Sequence, residues 1–361
     1  MKKICVYTIC KNEEQFVDKW VTSAKDADLL IVGDTGSTDR SIEKLKEAGV
    51  IVHEIEVNPW RFDVARNMIL ELIPKEIDIC ISLDMDEVLI NDWRKKLEES
   101  WDNETTRMSY IYNWNFDEHG NPTTTFITDK IHTRNSYKWT HPVHEILEYI
   151  GDKKEKITFG SGVQIDHHSD SNKSRSQYLD LLELSVEENP NDDRNMHYLG
   201  REYMYRGMWE KSIDTLKKHL NLKNATWKDE RCASMRFIGR CYMALNKYDE
   251  AKMWLDKAII EAPYLRDPYV ERALLSYYEE DWNLVNYYCN KALKISENSK
   301  TYINETFSFD HTIYDLLSIS NYYSENYEKA LYYINLALEI APDNERLLEN
   351  KKLFESKKNS V

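Results

Sequence analysis

An apolar stretch that ends in acidic residues constrains this chain more than any other feature of its sequence. Residues 77–83 read Ile-Asp-Ile-Cys-Ile-Ser-Leu, and Asp84, Asp86 and Glu87 follow. The short run of apolar and β-branched residues predicts a strand that is buried on both faces. Open α/β sheets bind their ligands at the carboxyl ends of the strands, so the aspartates are predicted to lie at a binding site. Because carboxylate oxygens favour Mg²⁺ or Mn²⁺, which bridge substrate phosphates, the stretch predicts a site for a metal and a diphosphate.

The same acidic residues also fit an interpretation that needs no ligand. Asp84 would cap a helix, and Asp86 and Glu87 would lie in its first turn, where the helix dipole favours negative charge. An Asp-x-Asp pair alone fits this alternative well, so the neighbouring segments must decide between the two.

Length and composition limit the number of domains and the partners. A chain of 361 residues predicts two domains. The net charge of −15 disfavours nucleic acid and anionic membranes as partners, although one local basic groove would remain compatible with it. Six scattered cysteines without a Cys-x-x-Cys pair predict buried free thiols in a reducing compartment, and we expect a cytoplasmic protein. No apolar run approaches the length of about 18 residues that a membrane span needs.

Strand and helix patterns alternate in the first half of the chain. Apolar runs at residues 4–10, 29–32, 50–55 and 77–83 predict strands, and apolar residues recur at helical spacing between them. This alternation predicts a mostly parallel, doubly wound α/β sheet. Polar turn residues follow the first strand at Asn12-Glu13 and the second strand at residues 33–39. These residues therefore follow the ends of predicted strands, where open α/β sheets bind ligands.

Four short motifs in this half resemble the family 2 glycosyltransferases, which have the GT-A fold. The motifs are Asn12-Glu13, Asp34-x-Gly36-Ser37-x-Asp39, Phe62-x-x-Ala65-Arg66-Asn67 and Asp84-x-Asp86. Each is weak alone, but four in this order, each at a strand end or a helix start, are specific. His144-Glu145 and Ile165-x-His167 resemble a subgroup with a helical-repeat tail, which includes the enzymes that glycosylate bacteriocin peptides of the sublancin type. The motifs that carry the resemblance lie in residues 1–175. The rest of the chain resembles the subgroup only in its helical-repeat architecture.

The resemblance implies that five residues bind the nucleotide sugar: Asn12, Glu13, Asp34, Arg66 and Asp84. Asp34 is expected to accept hydrogen bonds from uracil or ribose, and the alternative is a plain turn residue. Arg66 is expected to lie near the base or the phosphates, and the alternative is a surface cation. Asp84 is expected near the ribose. The donor implied is a UDP-sugar.

The resemblance also implies the residues that hold a metal and perform the chemistry. Asp86 is expected to bind Mn²⁺ or Mg²⁺, which neutralises the departing diphosphate. His167 aligns with a family position that completes the metal shell. Because Ser169 and Asp170 stand where the resembling enzymes have Gly-Tyr, His168 remains an alternative.

The catalytic base is expected to be Glu145, which would remove the acceptor proton. The alternative role of Glu145 is an ion pair with His144, and Asp117 and Asp129 are substitute bases. Residues 101–175 are expected to form the acceptor side, with a hairpin turn at residues 117–122. Its aromatic residues Trp114, Tyr137 and Trp139 would be platforms for a sugar or peptide, or ordinary packing residues.

The second half of the chain carries a repeat. Leu199-Gly200-x-x-Tyr203 recurs 39 residues later as Ile238-Gly239-x-x-Tyr242, and Ala258 and Pro263 recur 79 residues later as Ala337 and Pro342. These small and aromatic positions resemble tetratricopeptide repeats and predict four helix pairs over residues 176–355. We therefore divide the chain into a GT-A domain, 1–175, and an all-α tetratricopeptide-like domain, 176–361. A polar linker is expected at residues 171–176 and a frayed tail at residues 351–361.

The sequence as a whole predicts an inverting, metal-dependent glycosyltransferase with a peptide, protein or glycan acceptor. The repeats would bind the acceptor or form a homodimer, and the alternative is a scaffold without a specific ligand. Two other functions remain open: transfer to a modified nucleobase in DNA, and a non-catalytic interaction scaffold, which the intact Asp84-x-Asp86 disfavours. A nucleotidylyltransferase would need a glycine-rich basic loop after the first strand, where Lys11-Asn12-Glu13-Glu14 stands instead.

Overall fold

A computed structural model describes residues 2–117, 119–169, 177–296, 301 and 303–359. They form two compact units, Met1–Ser185 and Val186–Val361. The predicted domain boundary at residues 175 and 176 lies outside the described residues, as does the predicted linker at residues 171–176.

The first unit contains two sheets. Its strands are β1 (Ile4–Cys10), β2 (Leu29–Asp34), β3 (Ile51–Glu54), β4 (Ile79–Ser82), β5 (Glu87–Leu89), β6 (Arg107–Phe116), β7 (Pro122–Thr133), β8 (Tyr137–Thr140), β9 (Ile146–Tyr149) and β10 (Ile157–His167). Eight of them form one sheet in the order β3-β2-β1-β4-β7-β6-β10-β5, while β8 pairs with β9. Strands β3, β2, β1 and β4 are mutually parallel, and β7 runs antiparallel to both β4 and β6. The predicted α/β sheet is confirmed.

Five helices belong to the sheet half of the chain: α1 (Val17–Ala24), α2 (Ser41–Glu47), α3 (Phe62–Leu72), α4 (Trp93–Ser100) and α5 (Tyr178–Glu188), within which the two units divide. Helix α3 approaches β2 closely, because a Cβ on Gly33 would lie 2.2 Å from Cγ1 of Ile69. A larger residue at position 33 would require the Ile69 side chain or the helix to move. This close contact packs α3 against the sheet.

The acidic stretch leaves β4, whose four residues are all buried. Asp84 and Asp86 lie in a turn that leads into the short strand β5. The alternative interpretation, a helix that begins at Asp84, is wrong, since the next residues pair as a strand with β10. The predicted hairpin turn at residues 117–122 is confirmed between β6 and β7, although residue 118 lies outside the described residues.

The second unit is built from helix pairs. Its helices are α6 (Asp193–Tyr205), α7 (Trp209–Asn221), α8 (Lys228–Ala244), α9 (Tyr248–Glu261), α10 (Asp267–Tyr278), α11 (Trp282–Leu293), α12 (Thr312–Tyr323), α13 (Tyr327–Ile340) and α14 (Glu345–Lys358), with a 3₁₀ turn at Thr306–Ser308. Helices α6 to α13 form the four predicted pairs, each joined by a short connection that favours antiparallel packing. The predicted helical repeat is confirmed. The predicted frayed tail is wrong up to Lys358, because α14 buries Leu347 and Phe354.

Close helix contacts explain the repeated glycine. A Cβ on Gly200 would lie 2.5 Å from Leu216, and one on Gly239 would lie 2.9 Å from Leu255. Each contact joins the two helices of one pair, so the repeat in sequence is a repeat in packing. The six cysteines are free and buried. None of the described helices is long and apolar enough to cross a membrane.

Candidate active site

The carboxyl ends of the parallel strands bring together most of the predicted site residues. Cys10 of β1 pairs with Asp34 of β2, and Tyr7 of β1 pairs with Ser82 of β4. Asp34, the loop that follows Cys10 and the turn that follows Ser82 therefore lie at one edge of the sheet. This is the edge at which open α/β sheets bind ligands.

Helix α3 positions Arg66 through its neighbour Asn67. The Asn67 side chain makes two hydrogen bonds to the backbone of Trp139, donating to its carbonyl at 2.8 Å and accepting from its N–H at 2.8 Å. These bonds fix α3 against β8. The Arg66 guanidinium then lies 5.0 Å from the centre of the Trp139 ring, a cation–π contact.

Arg66 joins two carboxylates that are distant in the sequence. Its Nη2 donates to Asp84 Oδ1 at 2.7 Å, and its Nε donates to Glu145 Oε1 at 2.5 Å. Its Nη1 donates to the Ser82 hydroxyl at 3.1 Å. The side chain of Arg66 is only 6 % exposed, so the surface-cation alternative for this residue is wrong.

A second cation, Lys130 of β7, completes the charge network, although it is not among the predicted site residues. Its Nζ lies 3.2 Å from Asp84 Oδ2 and 3.4 Å from Glu87 Oε1. Lys130 lies near the end of β7, and no local motif marks it as a site residue. Both oxygens of Asp84 are thus engaged by cations. Burial raises the pKa of Asp84, but Arg66 and Lys130 outweigh it and hold that pKa well below its usual range.

Glu87 fixes the turn that carries the two aspartates. Its Oε2 accepts from the Asp84 backbone N–H at 2.8 Å, and its Oε1 accepts from the Tyr112 hydroxyl at 2.7 Å. Burial raises the pKa of Glu87. Burial lowers the pKa of Lys130, but the attraction of Asp84 and Glu87 raises it by more. The net shift is upward, so the lysine stays positively charged. The turn is therefore held by charge pairs on one side and by Tyr112 on the other.

Asp86 faces a histidine rather than the two cations. Its Oδ2 lies 3.5 Å from His167 Nε2, and His167 Nδ1 lies 3.1 Å from the Trp114 carbonyl. The imidazole also stacks on the Trp114 ring, with centroids 4.2 Å apart. Burial lowers the pKa of His167, but the contacts with Asp86 and the Trp114 carbonyl outweigh it, and the net shift is upward. His168 points elsewhere and stacks on Phe116.

Asp86 and His167 together fit a divalent metal ion. When Nδ1–H donates to the Trp114 carbonyl, Nε2 keeps its lone pair for a ligand, as in many metal-bound histidines. Two ligands that each lie about 2.1 Å from Mg²⁺ are about 3 Å apart in octahedral geometry, close to the observed spacing. Among the described residues no three His, Cys, Asp or Glu side chains converge on one point. The remaining ligands would therefore be substrate phosphates and water, which is common for Mg²⁺.

The loops after β1 and β2 hold each other in place. Asn12 has a φ of 56°, and its Oδ1 accepts from the Thr38 N–H at 2.7 Å. The backbone N–H of Glu13, a buried residue, donates to the Ser41 hydroxyl at 2.8 Å. Asp34 Oδ1 accepts from the backbone N–H groups of residues 36 and 37, both at 2.9 Å. Its buried Oδ2 has no hydrogen-bond partner among the described residues.

A cleft of about 400 Å³ lies beside His167, and its lining residues are Gln15, Phe16, Trp114, Asn115, Phe116, His167, His168 and Ser169. Trp114 is 36 % exposed and can serve as a platform there. Tyr137 and Trp139 are 3 % and 2 % exposed, so the platform interpretation is wrong for both. The Trp139 indole N–H donates to the Tyr7 hydroxyl inside the core.

Only one of the three candidate bases joins this network. Glu145 pairs with Arg66, and its side chain is 12 % exposed. Asp117 accepts backbone hydrogen bonds from His119 and Asn121 and so closes the β6–β7 turn. Asp129 pairs with Arg107 at 2.9 Å. Of the three candidates, Glu145 is the one that lies beside Arg66 and Asp84.

Comparison with known proteins gives a family for the first unit. Residues 5–146 match the family model described as glycosyl transferase family 2. A comparison with the curated proteins gave no match. Similar solved structures include MamA, with a TM-score of 0.38, 17 % identity and coverage of 46 % of this chain and 89 % of that one. A thermophilic TPR protein of Thermus thermophilus has a TM-score of 0.36, 18 % identity and coverage of 50 % and 88 %. The PilF protein of Pseudomonas aeruginosa has a TM-score of 0.39, 13 % identity and coverage of 49 % and 72 %.

The matched segment spans β1 to β4, α3 and the Asp84 turn, and it ends just after Glu145. It thus contains every residue of the Arg66 network. Residues 5–146 form a family 2 glycosyltransferase domain, and the chain is a glycosyltransferase.

Proposed function

We propose that this glycosyltransferase is inverting and metal-dependent, and that it moves a sugar from a UDP-sugar to a peptide, protein or glycan. The observation that carries the proposal is the approach of Asp86 Oδ2 to His167 Nε2 at 3.5 Å. The pair lies beside the paired carboxylate of Asp84, at the ligand-binding edge of the sheet. A carboxylate and a histidine with a fixed ring are a suitable partial shell for Mn²⁺ or Mg²⁺.

The nucleotide part of the donor would bind along the ends of β1, β2 and β4. Asn12, Glu13, Asp34, Arg66 and Asp84 line this edge. The unpaired Oδ2 of Asp34 supports this role, because a buried acceptor without a donor costs about 1–3 kcal/mol, and a nucleotide N–H or O–H would supply the donor. Arg66 and Lys130 fix Asp84 for contact with the ribose.

The chemistry would be direct displacement at the anomeric carbon. A bound metal supplies positive charge to the departing diphosphate. Glu145 takes the acceptor proton, and its Oε2 is the oxygen that the Arg66 bond leaves for this step. Arg66 orients Glu145 and Asp84 at the same time, so the base and the nucleotide-binding carboxylate share one positioning residue.

The acceptor would enter through the cleft that Trp114 and Phe116 line. A peptide acceptor is supported by the resemblance to the sublancin-type subgroup, and the net charge of −15 speaks against nucleic acid. The six free cysteines support a reducing compartment such as the cytoplasm. The repeats would offer a surface for the acceptor or for a homodimer.

Calorimetry of UDP binding tests the metal site without requiring turnover. We expect UDP to bind tightly with Mn²⁺ and weakly with EDTA. Replacing an outer-shell residue typically costs about 10–100-fold in metal affinity, so loss of the ligand itself in Asp86→Ala should cost at least as much. Asp152→Ala, at an exposed aspartate of the same unit, is the matched control and should leave both affinities unchanged. Equal UDP affinity with Mn²⁺ and with EDTA would refute the metal site.

A further inference from the structure

A segment of the second unit lies across the first helices of several pairs. The connection between α11 and α12 comprises residues 294–311, far longer than the connections at residues 222–227 and 262–266. Within it, the described residues from Ile303 to Phe309 contact α8, α10 and Arg266, the residue that precedes α10. Direct contacts of α6 with α8, of α8 with α10 and of α10 with α12 make these helices one continuous surface.

The surface recognises the backbone of the segment. The Arg236 guanidinium donates from Nη2 to the Ile303 carbonyl at 3.0 Å, and Asp267 Oδ1 accepts from the Glu305 N–H at 2.7 Å. Asp267 Oδ1 also accepts from the Ser308 hydroxyl at 3.1 Å. One carbonyl and one N–H are therefore bonded by side chains of two different helices. Side-chain bonds to main-chain groups on one short segment are how a groove holds a peptide.

The surface also recognises side chains at alternate positions. Ile303 packs among the apolar residues of α6 to α8, and it is 5 % exposed. The Glu305 carboxylate accepts from Arg240 Nη2 at 2.6 Å and lies 3.5 Å from Arg236 Nη1. The Phe307 ring lies 5.7 Å from the Arg240 guanidinium. The pattern that the surface reads is thus apolar, acidic and aromatic at positions i, i+2 and i+4.

The floor beneath the segment can also exist in water. It consists of Arg236 and Arg240 on α8 and Asp267 and Glu271 on α10, each pair four residues apart and so on one helix face. Glu271 accepts from Arg236 at 2.6 Å and from Arg240 at 2.8 Å, so these three charges stay paired without the segment, whereas Asp267 loses the Glu305 and Ser308 donors. Arg236 Nε is buried and has no hydrogen-bond partner among the described residues, so the segment does not saturate the groove. Because a buried ion pair adds little stability over apolar packing, stability alone does not account for the charges of this floor.

We infer that these helix faces form a peptide-binding groove that the Ile303–Phe309 segment occupies as an internal competitor. The partner is a peptide with an apolar residue, an acidic residue and an aromatic residue at i, i+2 and i+4. It binds when the internal segment leaves. The inference concerns binding alone, and it stands whatever sugar and acceptor the first unit uses.

Competition between the segment and a free peptide tests the inference. The probe is a fluorescein-labelled peptide with the sequence of residues 301–311, TYINETFSFDH. A tethered segment acts at an effective concentration of about 1 mM, so a peptide with an intrinsic Kd of about 10 µM is weakened about 100-fold in the wild-type chain. In the full-length double variant Ile303→Ala/Glu305→Ala the internal competitor is weakened. We expect this variant to bind the probe at least about 10-fold more tightly than wild type.

Two further variants show whether the probe occupies the groove. Adding Arg240→Ala to the double variant removes the partner of the peptide carboxylate and should reverse most of the gain. Adding Lys252→Ala instead, at a lysine that pairs with Glu279 on other faces of the repeat, should not. Equal probe affinity in wild type and in the double variant would overturn the inference, and so would an unchanged affinity on adding Arg240→Ala.

Hydrogen exchange on the wild-type protein decides the case if the double variant does not fold. The N–H groups of Glu305 and Ser308 should exchange through a local opening, faster than the central amides of α8 and α10. Exchange of all these amides only through global unfolding would show that the segment is a permanent part of the core, and the inference would be wrong.

Discussion

Replacing Arg66 by methionine should destabilise the first unit strongly, although the site looks like a ligand site. Arg66 donates to Asp84 at 2.7 Å, to Glu145 at 2.5 Å and to Ser82 at 3.1 Å. Methionine keeps most of the side-chain volume and the contact with Trp139. The change therefore isolates the loss of the charge and of its hydrogen bonds.

The expected loss of stability follows from how deeply Arg66, Glu145 and Asp84 are buried. Removing one partner of a buried ion pair costs about 3–5 kcal/mol, because the remaining charge is left unpaired. The side chains of Arg66 and Glu145 are 6 % and 12 % exposed, but that of Asp84 is 29 % exposed and keeps Lys130 as a second partner. Water and Lys130 therefore compensate part of the loss at Asp84, and we expect the lower end, about 3 kcal/mol.

Thermal unfolding followed by tryptophan fluorescence and circular dichroism measures this loss. For a unit of this size, about 3 kcal/mol lowers Tm by about 6–12 °C. Arg40→Met is the matched control, because Arg40 pairs with Glu43 on the surface, with 64 % of its side chain exposed. Such pairs contribute little, so the control should keep the wild-type Tm.

A double variant separates the lost pairing from other effects of the change. Glu145→Gln leaves a neutral acceptor, so Arg66→Met should cost less in its presence than in the wild-type background. If Arg66→Met lowers Tm no more than Arg40→Met does, Arg66 does not hold the two carboxylates together and the site geometry described above is wrong.

Two further predictions concern the base and a buried histidine. Glu145→Gln should keep UDP affinity near wild type in calorimetry and lower turnover by about 10²–10⁴-fold, whereas wild-type turnover would show that Glu145 is not the base. His132 accepts from the Tyr7 hydroxyl at Nε2 and lies 2.9 Å from the Thr133 carbonyl at Nδ1, and burial lowers its pKa to about 4. Since an unfolded histidine titrates near pH 6.5, the stability that neutral His132 supports should fall by about 3 kcal/mol in total between pH 6.5 and 4. His132→Gln should therefore lose less Tm than wild type over that range, and an identical pH dependence would contradict this assignment.

Local features of the chain were predictable because nearby residues determine them. The apolar run before Asp84 predicts β4, and the 39-residue repeat of Gly200 and Gly239 predicts the helix pairs. Both depend on side-chain size and hydrophobicity within a single element or pair. The tail was predicted wrongly because its polar composition hides Leu347 and Phe354, which lie seven residues apart on one helix face and are buried.

The partners within the site came only from the tertiary structure. Arg66 meets Glu145, and Lys130 meets Asp84, across segments that no local pattern connects. The position of Ile303 to Phe309 against α8 and α10 is equally invisible in the repeat, because an insertion follows no period.

The choice between His167 and His168 shows why the tertiary structure was needed to assign the site residues. Neighbouring residues of a strand point to opposite faces, so a slip of one residue would exchange the two side chains. The pairing of His167 with Glu87 fixes that register, and it places His167 rather than His168 beside Asp86. A sequence states which residues a strand contains, but only the pairing of that strand with its neighbour decides which side chain reaches the site.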